Sequence, residues 1–151
     1  MSFHGRLLAI TGAASGIGRA LALELAARGA DLALSDIDEA GLAETKTRVA
    51  KRGRTASTTR VDVANKDEMF SWARSLLESN GRVDGIVNNA GVGVTRSFAE
   101  MSYDDIEWIL GINLWGVIHG TKAFLPGLLR QDDGWINIFS QDTPLTGLAV
   151  P

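Results

Sequence analysis

Residues Thr11 to Gly18 read TGAASGIG, with glycines at 12, 16 and 18 in the spacing GxxxGxG. Glycine lets a backbone turn tightly and approach a phosphate, whose charge then meets the N–H groups and dipole of a helix start. An apolar run, RLLAIT at 6–11, precedes the stretch and a helical pattern, GIGRALALELAARG, opens from it. That position suits the pyrophosphate of a dinucleotide, although loop glycines also serve simply as turn formers. Gly16 and Gly18 are expected to allow close approach, so that a side chain there harms binding more than folding. Asp36 ends the next apolar run, DLALSD, 18 residues beyond Gly18. This is near the separation expected of a carboxylate that binds an adenosine ribose. Asp38 is better placed to cap the helix beginning near Glu39, which leaves Asp36 for a ligand. No basic residue stands at Ser35, Ile37 or Asp38 to meet a 2′-phosphate, so NAD is expected over NADP. Asp62, Asn88 to Gly91 and Ser140 fall at the ends of three later runs.

The elements that must hold these residues alternate. Short strands are expected at 6–11, 31–36, within TASTTRVDV, at 83–89 and in WINIFS. Helices are expected from Gly16 to a stop at Gly29, from Glu39 to about Arg52, and from Asn65 to Asn80. Ile17, Leu21 and Leu25 fall four apart on the first, and Asn65 with Glu68 resembles a capping box. A longer helical stretch starts at Ser102 and Asp105 and runs to about Arg130, with a break near Asn113. Apolar strands alternating with helices imply an α/β fold, a doubly wound parallel sheet covered on both faces. Its ligand crevice belongs at the carboxyl ends of the strands, where all the residues singled out above sit.

Composition narrows the rest. At 151 residues with 45% hydrophobic content, the chain is read as one unit with a real core. A net charge of −3 without a basic run gives no reason to expect nucleic acid or an anionic membrane as partner. Zero cysteines remove disulfides and thiolate metal sites and favour a cytoplasmic setting, and two histidines make a histidine-based metal site unexpected. No stretch reaches the roughly 18 apolar residues of a membrane span, and the N-terminal apolar run is too short for a signal peptide.

TGAASGIG followed by DGIVNNAG resembles the short-chain dehydrogenase/reductase family in its single-domain form, over Phe3 to about Gly147. The resemblance implies a Rossmann fold and hydride transfer between a nicotinamide cofactor and a small alcohol or carbonyl substrate. It implies cofactor contacts at Gly12, Ser15, Gly16, Ile17 and Gly18. It further implies a carboxylate and amide at Asp62 and Val63 facing adenine, and a ribose wall at Asn89, Ala90 and Gly91. Asn88 is implied to be structural, tying neighbouring strands together. Asn113, in GINLWG, matches the helix asparagine that supports a water in a proton relay; an asparagine beside a helix break equally bonds a free backbone group. Ser140 matches the serine that holds the substrate oxygen when counted from Asn137. Counting from Gly134 or Gly147 puts Gln141 there, and Ser140 then only caps a turn. The implied assembly is a homodimer or homotetramer through helix 104–130.

The family's general acid/base is a tyrosine in a Y-x-x-x-K motif about a dozen residues after the serine. The one tyrosine, Tyr103, stands in YDDIE and does not match. The expectation is therefore an NAD-binding domain over 1–151 that stops before that helix, incomplete on its C-terminal side and inactive alone. Ile106, Ile109, Leu110, Leu114, Val117, Ile118 and Phe124 would then lack cover, with Trp108 and Trp115 beside them, and the fifth strand would keep a bare edge. A naturally truncated, catalytically silent nucleotide-binding or interaction protein is the alternative.

Overall fold

The computed structural model describes residues 2–131 and 134–139. Five parallel strands, β1 (Leu7–Thr11), β2 (Asp31–Asp36), β3 (Ala56–Arg60), β4 (Gly85–Asn88) and β5 (Trp135–Ile138), form one sheet in the order β3-β2-β1-β4-β5. β1 lies between β2 and β4, in register Leu8↔Leu32 and Ala9↔Ile86. The chain winds outward from β1 to β3 and then returns to the other side of β1, so the topology reverses between β1 and β4. Ligands of such sheets bind at the carboxyl side of that reversal. The doubly wound α/β reading stands.

Alternation along the strands divides the core into two layers. Leu8, Ile10, Leu32 and Leu34 face α1 (Gly16–Ala27) and α2 (Glu39–Ala50), whereas Ala9, Ala33 and Ile86 face α3 (Lys66–Asn80) and α5 (Gly116–Leu128). On α3, Met69, Trp72, Ala73 and Leu76 recur at helical spacing and are all buried. Trp72 meets Phe124 of α5 edge-on, centroids 5.3 Å apart.

Local chemistry sets the element ends. Asp38 accepts the N–H of Gly41 at 3.0 Å and caps α2, as expected. Asn65 caps α3 by accepting from Asp67 and Glu68. Glu68 does not close a reciprocal box on the Asn65 backbone; its carboxylate reaches the Asn65 side chain (3.0 Å) and the Asp62 N–H (2.8 Å). Ser102 and Asp105 form a complete capping box at α4 (Tyr103–Leu110). The expected break near Asn113 is a π-helical turn, Gly111–Trp115, where Gly116 N–H bonds back to Gly111 O, five residues away. Such turns insert one residue into a helix and are frequent at functional sites.

Exposure of the α4–α5 region follows expectation only in part, since Ile106, Ile109, Val117 and Ile118 are half-buried. Phe124 is buried by Trp72, while Leu110, Leu114, Trp108 and Trp115 are each about half exposed. β5 pairs with β4, and Ile138 is exposed. Among the described residues no helix is long and apolar enough to cross a membrane.

Candidate cofactor site

The site begins where β1 and β4 end side by side. The buried Thr11 hydroxyl accepts the N–H groups of Asn89 and Ala90, each at 3.0 Å. The Asn89 amide donates in return to the carbonyls of Thr11 (2.9 Å) and Gly12 (3.1 Å). Asn89 is thus the residue that ties these strand ends together. Asn88 instead reaches α5, donating to the Thr121 hydroxyl at 3.3 Å. Its Oδ1 is buried without a hydrogen-bond partner among the described residues.

Between β1 and α1 the backbone turns through two left-handed glycines, Gly12 (φ 66°) and Gly16 (φ 51°). The glycines do different work. A Cβ at Gly18 would lie 2.1 Å from the carbonyl oxygen of Gly12 and 2.6 Å from Asn89 Nδ2. Gly18 lines the crevice and also lets α1 pack against its own entry turn, so the expectation that a side chain there harms binding more than folding is corrected. At Gly16 no atom lies within 4 Å of the ideal Cβ position, so this glycine opens onto free space.

The rest of the turn is held from behind. Ala13 donates to Ser35 O at 3.1 Å and accepts from the Thr45 hydroxyl at 2.9 Å. Ala14 donates to the Asp36 carboxylate at 3.0 Å and accepts from Arg19. Every backbone polar group of these two residues is paired, as buried groups require. Arg19 also bonds Thr45 (3.0 Å) and Glu44 (2.9 Å), which locks the turn to α2. Side-chain bonds from Arg48, and then the charge of Arg19, hold Glu44 below the ordinary glutamate range.

These segments enclose a crevice of about 430 Å³ at the carboxyl ends of the strands. The glycine turn lines it with Gly12, Ser15, Gly16, Ile17 and Gly18, and the end of β2 with Asp36. Asp62 and Val63 line it after β3, and Asn89, Ala90 and Gly91 after β4. Ile17, read above as part of the apolar stripe of α1, is exposed and turns into this space. Glu107, Trp108, Gly111 and Ile112 form a further wall that the sequence reading did not assign. Their spacing places them on one helix face, but nothing local says which way that face turns. Among the described residues the lining carries three carboxylates, Asp36, Asp62 and Glu107, and neither lysine nor arginine.

Asn113 stands outside the crevice lining. Its side chain accepts from Val92 N–H at 2.9 Å and donates to Val92 O at 2.8 Å, which fixes the loop after β4 to the π-helical turn. The backbone-bonding alternative is the one its side chain follows. Ser140 and Gln141 lie outside the described residues.

Residues 6–148 match the short chain dehydrogenase family. The chain belongs to that family. It is 43% identical over 152 residues to a putative oxidoreductase, SadH, of Mycobacterium tuberculosis, an alignment that takes in 99% of this chain and 54% of that protein. A short chain dehydrogenase/reductase from Burkholderia phymatum, solved in complex with NAD, superposes with a TM-score of 0.86 at 38% identity. That match covers 91% of this chain and 50% of the other. An alcohol dehydrogenase from Thermococcus sibiricus, solved with 5-hydroxy-NADP, superposes with a TM-score of 0.83 at 31% identity, covering 88% and 57%. The chain spans about half the length of the relatives it matches.

Proposed function

We propose that this chain is the cofactor-binding part of an NAD-dependent oxidoreductase that moves hydride between a nicotinamide cofactor and an alcohol or carbonyl substrate. The observation that carries the reading is Asp36, a carboxylate on the crevice wall with no cation in the lining beside it. Each of its oxygens accepts one backbone N–H, from Ala14 and Asp38, and a carboxylate has about four acceptor positions in all. Two remain for the paired hydroxyls of a ribose, and a 2′-phosphate would meet like charge. The open position at Gly16, at the start of α1, suits a pyrophosphate against the helix N-terminus. In this reading Asp62 and Val63 face adenine, and Asn89, Ala90 and Gly91 back the ribose. Nicotinamide, when bound, supplies or takes the hydride.

Chain residues do the positioning. Asn113, whose side chain is spent on Val92, contributes to a proton relay through its backbone in the π-helical turn. Ser140 holds the substrate oxygen, with Gln141 as the other candidate for that place. Tyr103 does not serve as the acid/base, since it starts α4, is 83% exposed and is followed by Asp104, Asp105, Ile106 and Glu107. Without a positioned proton donor a reaction forfeits about 10²–10⁴-fold in rate. The exposed Trp108, Leu110, Leu114 and Trp115 support self-association through helix 104–130, and the cysteine-free composition suits the cytoplasm. A silent nucleotide-binding role is the second reading, favoured by FSQDTP in place of the family's serine pair.

Assay of the 151-residue chain, at verified mass, with NAD and secondary alcohols and with NADH and ketones tests the catalytic half of this reading. We expect saturable NAD binding without sustained turnover, and turnover from a longer product that contains Y-x-x-x-K. Sustained turnover by the shorter chain contradicts the assignment; NAD binding by both without turnover by either favours the silent role.

A further inference from the structure

α5 touches the cofactor crevice at Val63. Gly116 and His119, three residues apart on one face, both meet it. A Cβ at Gly116 would lie 2.7 Å from Val63 Cγ2, and His119 Nδ1 stands 3.1 Å from Val63 O. A carbonyl oxygen can only accept, so Nδ1 carries a proton. Trp115 stacks on the imidazole, with centroids 5.9 Å apart and planes at 29°, and holds the ring in place.

Val63 belongs to a segment, 61–64, that has no helix or strand ladder of its own and still forms part of the crevice wall. Two local bonds shape it, Ala64 N–H to the Asp62 carboxylate at 2.9 Å and Asn65 N–H to Asp62 O at 3.0 Å, and its other backbone groups find partners on neighbouring elements. Val61 N–H goes to Asp36 O at 3.1 Å and Asp62 N–H to Glu68 at 2.8 Å, so β2 and α3 secure the first two residues. The carbonyl of Val63 is secured from the other side, by His119.

We propose that His119 is a positioning residue for the cofactor, holding Val63 at the crevice wall through the Nδ1–H bond to its carbonyl. This deepens the NAD-binding reading and rests on it. Loss of the donor leaves a partly buried acceptor unpaired, and the peptide between Val63 and Ala64 is then held by its Ala64 N–H, which donates to the Asp62 carboxylate at 2.9 Å. Trp115 supports the ring, not the ligand.

Two substitutions separate the bond from the ring. His119→Phe keeps a ring against Trp115 and removes the donor. His119→Asn removes the ring and keeps an N–H donor at the same distance from Cβ. Dissociation constants for NAD and for ADP-ribose, measured beside thermal melts, decide between them. We expect His119→Phe to weaken both ligands about 3–10-fold, the range of one net hydrogen bond, and His119→Asn to stay within about twofold of the parent. Both variants should melt cooperatively. A Phe variant that binds like the parent, or an Asn variant as weak as the Phe variant, overturns the proposal while leaving NAD binding intact. A parent chain that binds neither ligand overturns the NAD reading and this inference with it. If either variant fails to melt cooperatively, hydrogen exchange at 62–65 in the other, compared with the parent, decides: faster exchange in Phe or parent-like exchange in Asn supports the bond, and the reverse overturns it.

Discussion

The Asp36 carboxylate accepts the backbone N–H of Ala14 at 3.0 Å, joining the end of β2 to the glycine turn across 22 residues of sequence. The group assigned to the ribose therefore also shapes the turn assigned to the pyrophosphate. Asp36→Ala should lower NAD affinity by at least about tenfold, as expected for a lost charged hydrogen bond. It should also lower Tm by about 2–8 °C, because the Ala14 and Asp38 N–H groups lose their acceptor. Asp36→Asn keeps an acceptor and should melt closer to the parent, yet lose discrimination against NADP. Calorimetric titration with parallel melts checks both.

Two glycines of one turn should fail in different ways. Gly18→Val places a side chain within the turn's own carbonyl, 2.1 Å from Gly12 O, and should abolish the cooperative melt. Gly16→Asn has room, and asparagine tolerates a left-handed backbone, so the fold should persist while NAD binding weakens more than tenfold. Circular dichroism melts beside NAD titration separate the two effects.

The Thr45 hydroxyl is fully buried and links Arg19, Ala13 and Gly41. Thr45→Val keeps the shape and removes all three bonds. Gly41 O still accepts from Arg19, and Arg19 keeps Ala14 O and Glu44, so the main loss is at Ala13 O. A buried acceptor left unpaired costs about 1–3 kcal/mol, and unfolding in urea should shift to a lower midpoint with unchanged slope.

Acid should loosen the α2 side of the sheet. Burial raises the Asp31 carboxyl, but bonds from the Thr55 N–H and hydroxyl and the charge of Arg54 outweigh it and hold the group below its ordinary 3.8. Glu44 is likewise held below 4.5. Depressed carboxylates bind protons in the unfolded chain first, so their stabilisation is complete above about pH 5 and is lost as pH falls through the folded values. Melts between pH 3 and 7 should show Tm falling below about pH 4.5, and Asp31→Asn should flatten that fall.

The strand positions and the residues of the crevice are legible because their signals are local. β2 was expected at 31–36 and is found at Asp31–Asp36, and Asp38 caps α2 as its spacing suggests. All eleven expected cofactor residues, from Gly12 to Gly91, line one space. What escaped the sequence depends on contacts between distant segments. Nothing near Asn89 says that its side chain reaches Thr11 and Gly12, nothing near Gly18 says that the turn folds back on it, and His119 meets Val63 across 56 residues. The helix break at Asn113 was visible, but its π-helical geometry and the bond to Val92 come from packing.

The most direct measurement is a titration of the purified chain with NAD and NADP, each followed to saturation in the same buffer and salt, with Asp36→Ala alongside. NAD should bind saturably and at least about tenfold tighter than NADP, since a 2′-phosphate meets the Asp36 charge with no lysine or arginine among the described lining residues. The difference should narrow in the variant. No saturable NAD binding, or NADP bound as tightly as NAD by the parent chain, would contradict the NAD reading.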